Sequence, residues 1–145
     1  MSSSNEEAIS VLNDLIETCK DGVNGFRTAA DAVSNPRAKT LFTSRAQQIE
    51  KASAELSAEV RQLGGDPEKT GSVAGAVHRG WINIKSAVTG KDDKAILAEC
   101  ERGEDAAVKS YESALEKNLP PQVRSIVEQQ YRGAIANRDS IRGLK

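Results

Sequence analysis

The stretch DPEKTGSVAGAVHRGWINIKSAVTGK, residues 66–91, decides the fold that this sequence predicts. Helices that neighbour each other in a bundle are usually joined by about 2–8 residues, and this connection is far longer. A connection of this reach can run the whole length of a bundle, so that the next helix starts at the opposite end. The stretch therefore predicts that the helices on its two sides run parallel.

The crossover also has a helical pattern of its own. Apolar residues recur at helical spacing between the breaks at 71–72 and 89–90, which predicts a short helix over about 73–88. Its candidate interface residues are Trp81, Ile84, His78 and Arg79. Because this helix is short and lightly basic, we expect it to pack on the bundle or on a partner chain, and we do not expect an anion or membrane-surface contact.

Two long helices precede the crossover. Apolar residues three and four positions apart predict helices over about 5–33 and 36–63. Pro36 suits a first helical position, and Ser34 or Asn35 can cap the free amides. The pair Gly64-Gly65 can take the left-handed conformation that ends the second helix.

Two more long helices follow the crossover, over about 92–118 and 121–143. Asp92 or Asp93 can cap the first of them, and Pro120-Pro121 separates the two. The composition agrees with helices, since the chain is 38% apolar and only 3% aromatic. We therefore expect residues 1–145 to form one all-α domain, a four-helix bundle with one long crossover.

The charge balance argues against several classes of partner. Lys and Arg number 20 against 21 Asp and Glu, so no overall field attracts nucleic acid or a membrane. A mainly acidic segment, 92–117, and a mainly basic one, 122–145, are typical of neighbouring helices of opposite sign. The N-terminus has no apolar stretch or cleavage site, and Cys19 and Cys100 lack metal-ligand spacing. These features predict a cytoplasmic protein with reduced thiols.

Three segments carry a resemblance to a known family: LNDLIETCKDGVNGF (12–26), QLGGDPEKTGSVAGAVHRGWINIKSAVTGKDDKAIL (62–97) and ECERGEDAAVKSYESAL (99–115). They resemble a bacterial four-helix-bundle family of unknown function within the ferritin-like superfamily. The resemblance implies the same ferritin-like bundle with a crossover helix, and it implies no established activity.

A ferritin-like bundle raises the question of a di-iron or di-manganese centre. Such a centre takes a Glu from each of two helices and a Glu-x-x-His pair from each of the other two. The only histidine, His78, lies in the crossover with Gly75 three residues before it, and Glu-x-x-His does not occur. Where the resemblance leads us to expect acidic residues in the first helix, the sequence has Val23 and Asn24, and where the last helix could offer a histidine it has Asn137. We therefore predict no metal site and no cofactor.

Polar residues nevertheless fall on the apolar stripes of the last two long helices. These candidates for a buried polar cluster are Glu104, Gln130, Asn137 and Tyr111, with Gln48 nearby. Three interpretations stay open: a hydrogen-bonded cluster, a rotated helix that exposes Glu104, or an active carboxylate. We expect Glu104 to be buried and held by neutral donors, chosen from Gln130, Asn137, Tyr111 or a second-helix side chain such as Gln48 or Arg45. Replacing Glu104 by Gln should then be mild.

No phosphate-binding glycine loop or nucleophile motif occurs, and no second histidine is present to act as a base. We predict a protein that is not an enzyme and has a structural or protein-interaction role. A homodimer is the expected assembly, without nucleic acid or membrane. The alternative is a ferritin-like metal-binding or metal-oxidising protein with a degenerate carboxylate site.

Overall fold

The computed structural model describes residues 3–67, 80–90 and 92–145. These ranges contain five helices and no strand: α1 (Ser3–Ala32), α2 (Pro36–Gln62), α3 (Ile84–Thr89), α4 (Asp93–Leu115) and α5 (Pro121–Gly143). The predicted all-α fold class is confirmed. The largest difference among the long helices is at the end of α4, which stops at Leu115 where the pattern predicts about 118.

Local chemistry fixes where α2 begins and ends. Pro36 is its first residue, and Asn35 Oδ1 accepts hydrogen bonds from the backbone nitrogens of Arg37 and Ala38 at 2.8 and 3.3 Å. At its other end Gly64 has a φ of 89°, and Gly65 N donates back to Val60 O at 2.9 Å. A left-handed glycine followed by this bond is the Schellman arrangement, which satisfies carbonyls at a helix end.

Hydrogen bonds between the helices define the topology. The carboxylate of Asp93, at the start of α4, accepts from Ser34 N at 2.8 Å and from Asn35 N at 3.0 Å, immediately before α2. α2 and α4 therefore start at the same end of the bundle and run parallel. α5 returns antiparallel to α4, since Tyr131 bonds Glu112 near one end and Arg142 bonds Glu101 near the other. The predicted one-crossover topology is confirmed.

The core lies between the four long helices. Phe26 of α1 and Phe42 of α2 are fully buried, with ring centroids 5.6 Å apart. Each of the other long helices adds buried aliphatic side chains, among them Ile96, Val127 and Ile141. Burying one such side chain contributes about 1.5–3 kcal/mol, so this shared core holds the bundle together.

The crossover departs from the prediction. Residues 73–79 of the predicted helix 73–88, which include His78 and Arg79, lie outside the described ranges. Residues 80–83 are not helical, and α3 begins at Ile84. Gly80 has a φ of 98°, and a Cβ there would lie 2.8 Å from Arg102 O. The backbone nitrogen of Asn83 donates to the buried carboxylate of Glu99. Residues 80–83 therefore form a turn that packs closely against α4, where the pattern predicted a helix.

Candidate functional site

The candidate site is centred on Glu104, halfway along α4, whose side chain is only 1% exposed. The helix buries one face, on which Leu97, Cys100, Val108 and Tyr111 also lie. Glu104 follows Leu97 by seven residues and precedes Tyr111 by seven, so the same packing that buries those residues carries the carboxylate into the core.

Two side chains from other helices hold the Glu104 carboxylate. Arg45 of α2 donates from Nε to Oε1 at 2.7 Å and from Nη2 to Oε2 at 3.3 Å. Asn137 of α5 donates from Nδ2 to Oε1 at 2.8 Å. Arg45 is itself only 7% exposed, so the pair is a buried, doubly bonded ion pair.

The prediction named Arg45 and Asn137 among the side chains that could hold Glu104, but its description of the donors as neutral is wrong for Arg45, the main partner. The pattern contained the signal, because Arg45 lies three residues after Phe42 and four before Ile49, on the buried stripe of α2. A cation on that stripe needs a counter-charge, and Glu104 is the buried carboxylate that bonds it.

Burial and the ion pair act on Glu104 in opposite directions. Burial raises the pKa of the Glu104 carboxyl, while the Arg45 guanidinium and the hydrogen bonds from Arg45 and Asn137 lower it, and burial has the larger effect. The two oxygens of this carboxylate thus accept three hydrogen bonds from side chains of α2 and α5.

Tyr111 and Gln130 form a second polar group that does not bond Glu104. Tyr111 Oη donates to Gln130 Oε1 at 2.8 Å and lies 3.8 Å from Cys19 Sγ. Gln130 Nε2 in turn donates to Ala52 O, at 3.2 Å. The predicted residue Gln48 is exposed, and its carbonyl oxygen lies 3.5 Å from Arg45 Nη1, a long contact.

A small cavity of about 10 Å³ lies beside these groups, bordered by Cys19, Arg45, Glu104 and Tyr111. This volume is close to the smallest that can hold one water molecule. Trp81 borders the same cavity, on the side of α1 and α4. The interior of the polar cluster is therefore nearly filled by protein atoms.

Trp81 occupies a slot formed by two glycines that sequence analysis missed. A Cβ added at Gly25 of α1 would lie 2.4 Å from the indole, and one added at Gly103 of α4 would lie 2.3 Å from it. The ring also meets Phe26 edge-on, with centroids 5.1 Å apart. Glycine inside a helix costs about 1 kcal/mol relative to alanine, which is the signal that could have marked both positions. Ile84 is half-buried against the same core.

The residues present do not fit the dinuclear metal centre that the ferritin-like fold implies. Within residues 3–67, 80–90 and 92–145, no group of three or more His, Cys, Asp or Glu could hold a metal ion. At the central carboxylate, a guanidinium nitrogen lies 2.7 Å from the oxygen that a metal would have to share. A cation is already built into the chain at this position.

Comparison with known proteins agrees with this architecture. The sequence profile of the family described as "Domain of unknown function (DUF2383)" matches residues 7–117. The chain belongs to this family. The DUF2383 match includes Arg45, Glu104, Trp81 and both glycines of the slot. It ends before α5, which supplies Asn137 and Gln130.

Among solved structures, a Mycobacterium smegmatis Dps1 mutant superposes with a TM-score of 0.80 at 12% identity, over 99% of this chain and 98% of that one. Similarity at this identity shows the fold alone. No curated protein matches the chain. In the described part of this DUF2383 protein, no helix is long and apolar enough to span a membrane.

Proposed function

We propose that this DUF2383 protein is a non-enzymatic ferritin-like bundle with a structural or protein-interaction role. The observation that supports it is the buried Arg45–Glu104 ion pair, in which Nε and Oε1 are 2.7 Å apart. In this proposal the guanidinium neutralises the central carboxylate, and no bound metal ion is required to do so.

The other buried carboxylates have separate structural partners, which also supports the proposal. Glu99 accepts from Asn83 N and from Arg102, and so ties the crossover to α4. Glu59 accepts from Gln122 Nε2 at 3.4 Å, between α2 and α5. Each buried acid thus joins two parts of the fold.

Metal content tests the proposal. Purified protein is incubated anaerobically with Fe²⁺ or Mn²⁺, desalted and analysed for bound metal, and oxygen consumption is then followed on exposure to air. We expect no stoichiometric metal and no oxidase turnover. The matched variant is Glu104→Gln, which removes the central carboxylate. Any trace of metal that the wild type retains should be retained equally by this variant.

The opposite result would establish the alternative function. About two equivalents of metal per chain, with oxidase turnover, are what a dinuclear centre would give. If Glu104→Gln abolished both, the chain would be a metal-oxidising protein with a degenerate carboxylate site, and the structural role would be rejected.

The cellular setting and assembly are part of the proposal. Both cysteines are free and buried, which suits a reducing cytoplasm. We propose a bacterial source, as the family resemblance implies, a homodimer, and no nucleic-acid or membrane partner. Sedimentation velocity over a range of protein concentrations measures the assembly, and a sedimentation coefficient that stays at the monomer value would reject the dimer.

A further inference from the structure

A groove between α2 and α5 leads from the surface to the outer edge of the buried ion pair. Its volume is about 210 Å³, and its floor includes Arg45 and Tyr111. Its walls carry mainly polar side chains, namely Gln48, Lys51, Glu55, Gln129 and Gln130. Arg45 therefore has two sides, one bonded to Glu104 in the core and one facing this groove.

The groove side of Arg45 is only weakly satisfied. Nε and Nη2 are bonded to Glu104, whereas the partner of Nη1 among the described residues is Gln48 Oε1 at 3.5 Å. A guanidinium has five N–H groups, and a contact of this length is a poor hydrogen bond. Hydrogen-bonding capacity is thus left over at the floor of the groove.

The groove lining has two cations, Arg45 and Lys51, and one acid, Glu55, and it carries both donors and acceptors. Both ends of the Gln130 amide are used, since its oxygen accepts from Tyr111 and its nitrogen donates to Ala52 O and Glu55 Oε1. Within the described residues, Lys51 and Gln129 have no bonded partner, so an ammonium and an amide NH₂ join Arg45 Nη1 as donors. Such a set suits a ligand that accepts hydrogen bonds and carries negative charge.

We propose that this groove binds a small organic carboxylate, with one carboxylate oxygen on Arg45 Nη1 and the wall donors around the other. The volume is below the roughly 300–1,000 Å³ of pockets for drug-sized ligands, so the ligand is a short acid. The Arg45–Glu104 pair serves as a rigid platform for the ligand, because Glu104 holds the guanidinium in one orientation. The site is independent of the structural role proposed above.

Gly133 of α5 allows the site to be closed without disturbing the ion pair. A Cβ added there would lie 3.6 Å from Arg45 Nη1, in ordinary van der Waals contact. Gly133→Ala therefore places a methyl group where the ligand oxygen would bind, and alanine is also the better helix former. The matched control is Gly143→Ala on the same helix, where an added Cβ meets nothing within 4 Å.

The test is a titration of the ¹⁵N-labelled full chain with sodium acetate replacing sodium chloride at constant ionic strength. We expect saturable shifts of the Gly133 amide, the Gln129 side-chain amide and the Arg45 Nε–H. Gly133→Ala should weaken binding about tenfold, the effect of losing one charge-assisted hydrogen bond, while Gly143→Ala titrates like the wild type. The absence of saturable shifts in the wild type, or equal binding by Gly133→Ala, would overturn the site.

Discussion

At the scale of single residues, the Arg45–Glu104 pair makes a sharp prediction about stability. Glu104→Gln leaves a buried guanidinium without its counter-charge, and removing one member of a buried pair typically costs about 3–5 kcal/mol. The double change Arg45→Met with Glu104→Leu removes both charges and should be much less costly. Urea denaturation measures each free energy of unfolding. The sequence predicted a mild effect of Glu104→Gln on stability, because neutral donors were expected around the carboxylate. The charged partner Arg45 reverses that expectation.

An exposed ion pair provides the control for that prediction. Glu101 bonds Arg142 at 2.7 Å and Lys145 at 2.6 Å near the surface, and because such pairs are screened by water, Glu101→Gln should cost about 1 kcal/mol. If Glu104→Gln were as harmless as Glu101→Gln, the buried pair would contribute little to stability, and the central role assigned to Arg45 would be wrong.

The Cys19 thiol gives a prediction about pH. Burial raises its pKa from 9.0 to about 11, with the Tyr111 hydrogen bond acting in the opposite direction. Because the pKa is higher in the folded chain than in the unfolded one, this thiol stabilises the fold below pH 9, and the contribution is lost as the pH rises from 9 to 11. Between those two pH values, Cys19→Ala should therefore lose less stability than the wild type in urea denaturation. An equal loss in both proteins would contradict this.

At the scale of the structural elements, the slot for Trp81 predicts a local change. Gly103→Ala puts a methyl group 2.3 Å from the indole position, so the ring has to move out of the slot. Overpacking of this kind costs about 1–3 kcal/mol, which exceeds the gain of about 1 kcal/mol from replacing glycine in a helix. The emission of Trp81, the only tryptophan, should shift to longer wavelength. An unshifted spectrum with unchanged stability would show that the slot is loose.

The crossover, which carries Trp81, shows what a sequence can and cannot predict. The long connection at 66–91 predicted parallel flanking helices, because chain length alone limits where the next helix can start. The turn at 80–83 was missed, since apolar spacing continues through it. The turn depends on Gly103 of α4 leaving space, and on Glu99 accepting from Asn83, which are contacts between distant parts of the chain.

For the whole molecule, one shared core predicts cooperative unfolding. Helices α1, α2, α4 and α5 all contribute buried side chains to a single cluster, and Trp81 packs between α1 and α4. Urea unfolding followed by Trp81 fluorescence and by far-ultraviolet circular dichroism should therefore give coincident transitions. A fluorescence change at lower urea concentration would mean that the crossover detaches before the bundle unfolds.

The sequence predicted which residues of the candidate site face inward, but not which of them meet across the bundle. Periodicity shows which residues face inward, and it marked Glu104 and Asn137. It does not show at what height a residue of α2 meets a residue of α4. That height follows from the shared starting end, where Asp93 bonds the turn before α2, and it places Arg45 beside Glu104.

The slot formed by Gly25, Trp81 and Gly103 has a consequence for the evolution of this family. Three residues far apart in the chain occupy one space, so a substitution at one changes which substitutions are tolerated at the other two. Relatives that retain the tryptophan should retain both glycines, and relatives with a small residue at position 81 should carry larger side chains at 25 or 103. The three columns of a family alignment should therefore covary as a unit.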